Sequence, residues 1–286
     1  MGRSAVPRRV RAAAQRSPPQ LRSPEGAMPV KRACLSGVFL AVIGGMAQGA
    51  VSLSGTRLIV DGSDNEATIE VSNRRDAETL IQAWLDAPRG DDQPADGRVA
   101  DLPFALTPHL VRIPATGKQT LRLLYEGIGM PQDRESMLHL FVLEIPRRSP
   151  AAQQLSVAIR QRINVFYRPA GLVGDPADAA QRLLWQRIPS VDATLSVRNP
   201  TPYHVSLVDL RVNGIEIADH RLLSPFSDAS LAVPVLGTKP PVPDTLSFKA
   251  MTDYGGQRDY CAPLQRGQPF TVPLRTPDSH SPIGKC

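Results

Sequence analysis

The stretch from Gln153 to Pro169 leaves the backbone little choice. Leu155, Val157, Ile159, Ile163, Val165 and Tyr167 fall on one parity, and Ser156, Arg160, Arg162, Asn164 and Arg168 on the other. A period of two over that length belongs to a strand with one apolar face. Pro169 has no N–H to give a ladder, so pairing should stop there and the chain should turn.

The rest of the sequence supplies partners of the same kind. Strands are predicted over 50–61, Ala67–Ser72, Leu80–Leu85, 104–113 with an interruption at Pro108, Gln119–Tyr125 and Met137–Ile145, with turn signals at Asp61-Gly62, Asn73 and Pro114-Ala115-Thr116-Gly117. Short strands at this spacing, with no helical period between them, predict an all-β immunoglobulin-like sandwich over 50–169. Residues 170–180 are small, polar and Gly/Pro-bearing and read as a linker. A second set of strands, over 183–188, 193–197, 204–212, 230–235, 246–251 and 269–272, predicts a smaller β-sandwich domain over 181–275, followed by a polar tail over 276–286.

The chain carries a formal charge of +6, which invites a nucleic-acid partner until its distribution is considered. Residues 1–49 hold eight Lys/Arg and one Glu, a charge of +7, so the chain from Ala50 onward carries −1. That leaves no basic surface for nucleic acid. Lys31-Arg32, the apolar run from Leu35 to Ile43 and the small residues through Gly49 read as the three regions of a secretory signal peptide over 28–49. The apolar run is too short to span a membrane, which takes about 20 residues. Residues 1–27 precede the signal's own Met28 and read either as an over-long start to the gene product, outside the native protein, or as an unusual N-terminal extension. Two cysteines, Cys261 and Cys286, survive removal of the leader, and a bridge between them is permitted in an oxidising compartment.

Enzymatic chemistry finds no constellation. There is no Gly-x-Ser-x-Gly elbow and no Cys-x-x-Cys. Gly127-Ile128-Gly129 starts like a nucleotide fingerprint but has Gln132 in place of the third glycine. The five histidines, at 109, 139, 204, 220 and 280, show no zinc spacing, and Asp133 and Glu135 have no nucleophile beside them. No cofactor, metal or nucleotide is expected, and the protein does not read as an enzyme.

Four motifs, in order, carry a resemblance: Pro131–Ser136 (PQDRES), Glu144–Ser149 (EIPRRS), the strand ending Phe166-Tyr167-Arg168-Pro169, and Asn199–Val205 (NPTPYHV). Together they resemble the periplasmic chaperones of fimbrial assembly, the PapD-like chaperone–usher family, from about Ala50 to the mid-270s. The resemblance implies two sandwich domains in a boomerang arrangement, pilin subunits and an outer-membrane usher as partners, and a periplasmic location. It implies that Leu155, Val157 and Ile159 form a donor strand completing the subunit's fold, each contributing roughly 1.5–3 kcal/mol if fully buried. The short connection from Arg147 to Gln154 matches the family's short-loop branch. Glu135, Arg168 and Asp253 fall on the positions of an inter-domain ion-pair network, and Arg57 on the arginine that grips the subunit's C-terminal carboxylate. The family's second anchor, a lysine, is Asn164 here, and Arg162, two residues away on the same face, is the candidate to restore the missing charge. The rival reading is a secreted tandem sandwich acting as an adhesin or structural module, although only 5% of residues are aromatic, a poor supply for a carbohydrate platform.

Ala47 and Gly49 supply the small residues that a signal peptidase requires. N-terminal sequencing of the exported protein is therefore expected to begin at Ala50, and a mature chain retaining Met28 would contradict this assignment.

Overall fold

The computed structural model describes residues 51–88, 102–146, 157–188, 194–233, 245–265 and 267–275. These residues build two β-sandwich domains. The first contains β1 (Val51–Leu53), β2 (Arg57–Asp61), β3 (Glu66–Asn73), β4 (Thr79–Asp86), β5 (Phe104–Thr107), β6 (Leu110–Ile113), β7 (Lys118–Tyr125), β8 (Ser136–Pro146) and β9 (Ile159–Arg168). One sheet runs β1-β3-β7-β5 and the other β2-β9-β8-β4-β6. Alternate residues of both sheets, among them Ile69, Val71, Leu121 and Leu123 from the first and Val60, Ile81, Leu140 and Val165 from the second, share one core.

One segment that reads as a single strand, and one that reads as interrupted at Pro108, are each divided between the sheets. Residues 50–61 split at Ser54-Gly55-Thr56, so that β1 pairs antiparallel with β3 while β2 pairs parallel with β9. Residues 104–113 split at Pro108, which has no N–H for a ladder: β5 joins β7, and β6 joins β4. Of the alternation predicted over 153–169, residues 153–156 lie outside the described residues, and the strand described there is Ile159–Arg168.

The second domain contains β10 (Leu184–Ile188), β11 (Thr194–Arg198), β12 (Val205–Val212), β13 (Ile215–Leu223), β14 (Asp228–Ala232), β15 (Thr245–Met251) and β16 (Gln257–Pro263). They form the sheets β10-β11-β14 and β13-β12-β15-β16 around a core led by Trp185, Phe248 and Tyr260. Strands β13 and β16 were not foreseen. Strand β13 lies at a sheet edge with most side chains exposed, so it carries no apolar alternation, but Asn213 and Gly214 at φ 53° and 77° form the tight turn that marks a hairpin. The stretch 269–272 makes only an isolated bridge, Trp185 to Phe270, in place of the expected strand. The linker also differs: Pro176–Arg182 is a 3-10 helix, begun by Asp175 accepting from the Ala177 N–H, with Ala179 and Ala180 buried in the second core. Cys261 is disulfide-bonded, and its expected partner Cys286 lies outside the described residues. No helix among the described residues is long and apolar enough to cross a membrane.

One carboxylate in the first domain breaks the pattern of an apolar interior. Glu144 faces inward from β8 at 1% exposure, with Arg75 Nε 3.2 Å from Oε1 but no hydrogen bond to either oxygen. Burial pushes its pKa above the ordinary carboxylate value, against the pull of the Arg75 charge. A pKa raised by folding means that the stability owed to this group is fully present below its unfolded value and is lost as pH rises through the folded one. Glu144→Gln is therefore expected to unfold at a higher temperature than wild type at pH 7, with the difference vanishing below about pH 4. A wild type more stable than the variant at pH 7 would show that the Arg75 pair outweighs burial.

Candidate functional site

Leu58 and Val60 are buried in the core, so strict alternation turns Arg57 and Ile59 to the opposite face of the five-stranded sheet. The parallel register sets Arg57 directly beside Asn164 and Ile59 beside Phe166. The Arg57 guanidinium carbon lies 5.5 Å from the centre of the Phe166 ring, a cation–π arrangement. It makes no hydrogen bond to any described residue, although the charges of Asp253 and Glu135 act on it against a loss of pKa caused mainly by burial. A half-buried cation without a bonded counter-ion attracts anions. Arg57 borders a cavity of about 510 Å³ shared with Phe166, Arg168, His204, Asp253 and Tyr254.

The floor of this cavity is an ion cluster that crosses between the domains. Arg168 donates to Glu135 Oε1 from Nε and Nη2 at 3.1 and 2.8 Å, and to Asp253 from Nη1 and Nη2 at 2.9 and 3.2 Å. Burial acts to lower the Arg168 pKa, but the bonds to Asp253 and the charges of both carboxylates outweigh it and leave the pKa raised. The remaining Glu135 oxygen accepts from His204 twice, from its backbone N–H at 2.7 Å and from Nδ1 at 2.9 Å, and the Glu135 N–H donates to the Pro202 carbonyl at 2.8 Å. Since an ionised carboxylate only accepts, Nδ1 carries the proton. The turn bearing Asp253 also approaches the first domain through Gly255: at φ 80° only glycine is at ease, and a Cβ there would lie 2.9 Å from the Thr56 hydroxyl.

Three of these groups escaped the sequence reading. Phe166 lies on the polar parity yet is 2% exposed, packed on His204 with ring centres 5.3 Å apart. The run Val165-Phe166-Tyr167, apolar on both parities, was the available signal for burial on both faces. Tyr203, under the Arg168 guanidinium at 5.3 Å, and His204 were legible only as letters of a motif. Arg162 is exposed, two residues along the strand from Asn164 and opposite Phe141. Of the donor residues, Leu155 lies outside the described residues, Val157 is 53% exposed, and Ile159 opens β9. Among the described residues no cluster of His, Cys, Asp and Glu could hold a metal.

The family profile described as "Pili and flagellar-assembly chaperone, PapD N-terminal domain" matches residues 50–173, and that for the "Pili assembly chaperone PapD, C-terminal domain" matches 178–262. The chain belongs to the PapD family of pilus-assembly chaperones. It is 35% identical over 239 residues to the chaperone protein FimB/FhaD of Bordetella pertussis, covering 81% of this chain and 95% of that one. It is 38% identical over 216 residues to the probable fimbrial chaperone YadV of Escherichia coli, covering 72% and 86%. The crystal structure of the YadV chaperone superposes with a TM-score of 0.61 at 33% identity, covering 76% of this chain and all of that one (100%). The SafB chaperone of Salmonella enterica, solved in complex with SafA pilin, is similar at a TM-score of 0.61 and 28% identity, covering 75% and 96%. In this PapD-family chain the cluster includes His204 as well as Glu135, Arg168 and Asp253.

Arg168 and Glu135 are 16% and 2% exposed at their side chains, whereas Asp253 is 33% exposed. Removing a charge from the buried part leaves its partner uncompensated, so Arg168→Met is expected to cost about 3 kcal/mol of unfolding free energy. Asp253→Asn, with solvent to screen the loss, is expected to cost about 1 kcal/mol or less. Urea denaturation of both variants measures this order.

Proposed function

We propose that this chain is exported to the periplasm and there binds pilin subunits, completing each by strand donation and passing it to an outer-membrane usher. The observation that carries the reading is an apolar stripe that outruns its own core. Ile163 and Val165 on β9 are 7% and 0% exposed, but Val157 on the same parity is 53% exposed. Upstream of Asn164, the edge of β9 turned away from β8 is paired with no strand among the described residues. An open edge beside an exposed apolar stripe suits addition of a strand from an incomplete sandwich, with backbone hydrogen bonds giving affinity and alternate side chains entering its groove.

Leu155, Val157 and Ile159 are the donor residues in this reading, and Arg57, Asn164 and Arg162 hold the subunit's terminal carboxylate. A guanidinium fork meets two carboxylate oxygens at once, which suits Arg57 to the main anchor. Glu135, Arg168 and Asp253 keep the two domains in the relation that lets the anchor and the donor strand act together. A bridge from Cys261 to Cys286 ties the tail to β16 and stabilises by about 3 kcal/mol on a chain-entropy account.

Val157→Asp is expected to leave the circular dichroism spectrum unchanged while abolishing protection of a co-expressed pilin from periplasmic proteolysis, because a charge cannot enter an apolar groove without a cost of several kcal/mol. Arg57→Ala is expected to abolish recovery of the chaperone–pilin complex. A Val157→Asp protein that fails to fold would place the residue in its own core and overturn strand donation.

A further inference from the structure

The face that presents Arg57 continues past Asn164 onto the next strand. The antiparallel register of β8 with β9 sets His139 directly opposite Asn164, and that of β4 with β8 sets Asp86 opposite His139. Residues opposed across adjacent strands project from the same face, and neighbouring strands lie about 4.8 Å apart. Arg57, Asn164, His139 and Asp86 therefore form one row across the sheet, all half-buried, with the uncharged amide between a guanidinium and an imidazole. The His139 ring stands edge-on to Phe141, with centres 6.1 Å apart, and makes no hydrogen bond to a described residue. Its distance to Asn164 is one strand spacing, shorter than the two-residue step of about 6.6 Å that separates Arg162 from Asn164 along β9.

We propose that His139 is a specificity-determining residue of the cleft: a proton-dependent cation that joins Arg57 across Asn164 in binding the free carboxylate at the end of a subunit chain. The inference rests on the carboxylate-anchor reading given above and adds to it a residue and a dependence on pH. The charged groups facing His139 are Asp86 from β4, Arg162 from β9 and, beyond Asn164, Arg57 from β2. In the empty cleft, burial and the Arg162 charge hold the imidazole pKa below its ordinary value, against the pull of Asp86, so the ring stays neutral near pH 7. A carboxylate arriving in the row favours the imidazolium and raises that pKa. Linkage then fixes the sign: capture is tightest below the pKa of the empty cleft and weakens as pH rises through the higher pKa of the occupied one. A terminal carboxyl group, with a pKa of about 3.5, stays ionised across the whole range. The pH response therefore belongs to the protein.

The test uses the full mature chain and a short peptide of alternating valine and threonine, made once with a free C-terminal carboxylate and once as the C-terminal amide. Wild type is expected to bind the acid about fivefold to tenfold more tightly at pH 5 than at pH 8, the difference between a charge-assisted and a neutral hydrogen bond, and to bind the amide equally at both. His139→Gln keeps a donor without the charge, and is expected to hold the acid at the pH 8 level throughout. Arg162→Ala is expected to weaken binding across the range and, because the Arg162 charge depresses the imidazole, to move the pH response to higher pH. In wild type, the C2 proton resonance of His139 is expected to report a higher pKa with the acid peptide than with the amide. A pH response that survives in His139→Gln, or a His139 pKa unmoved by the acid peptide, overturns the proposal. If Arg57→Ala still removes the preference for acid over amide, the anchor reading stands without it. Equal binding of acid and amide by wild type at pH 5 overturns both.

Discussion

The parallel pairing of β2 with β9 is the constraint on which the rest of the site depends. It covers only Arg57–Asp61 against Asn164–Arg168. Its apolar side anchors Leu58 and Val60 in the first core, and its other side lines up Arg57 with Asn164 and Ile59 with Phe166. Because β2 is short, the earlier part of β9 has an edge that no described strand pairs. One ladder thus supplies both a cation beside the cavity and, among the described residues, a strand edge without a partner leading away from it. The break at Ser54-Gly55-Thr56, which moves the chain from one sheet to the other, is what allows so short a strand to reach β9.

The junction between the domains depends on saturation of a single carboxylate. Glu135 accepts two bonds from Arg168 on one oxygen and two from His204 on the other, at 3% exposure. A buried carboxylate in that state is costly only when a donor is removed, so the cluster favours one arrangement of its donors over alternatives more than it adds net stability. Asp253, partly in solvent, completes the Arg168 fork from the second domain, and the aromatic rings of Phe166 and Tyr203 screen the guanidinium groups from water. The arrangement holds Arg57 under the charge of two carboxylates without a hydrogen bond to either or to any other described residue.

Much of the fold was legible because burial on one face writes a local pattern. The alternation of Val157, Ile159, Ile163 and Val165, the turn residues between strands and the interruption at Pro108 all mark strands from a few neighbouring positions. Strand β13 left no such trace, since an edge strand with both faces largely wet has no apolar parity, and the 3-10 helix of Pro176–Arg182 is too short to show a period. The motifs located Glu135, Arg168 and Asp253 as charges with a shared context, and the structure brings them into contact.

Period, sign of charge and position of breaks are properties of adjacent residues, and the sequence determined them: an all-β chain in two domains, a basic stretch over residues 1–49 ahead of a nearly neutral body, and one strand whose apolar stripe is longer than usual. Partnership across strands is different, because it is made by backbone hydrogen bonds between segments distant in the chain, as far as Arg57 from Asn164, and those bonds are indifferent to side-chain identity. Only the tertiary structure could decide that residues 50–61 divide between two sheets, that Phe166 is buried from the polar side, that His204 closes on Glu135, and that Arg57, Asn164 and His139 stand in one row.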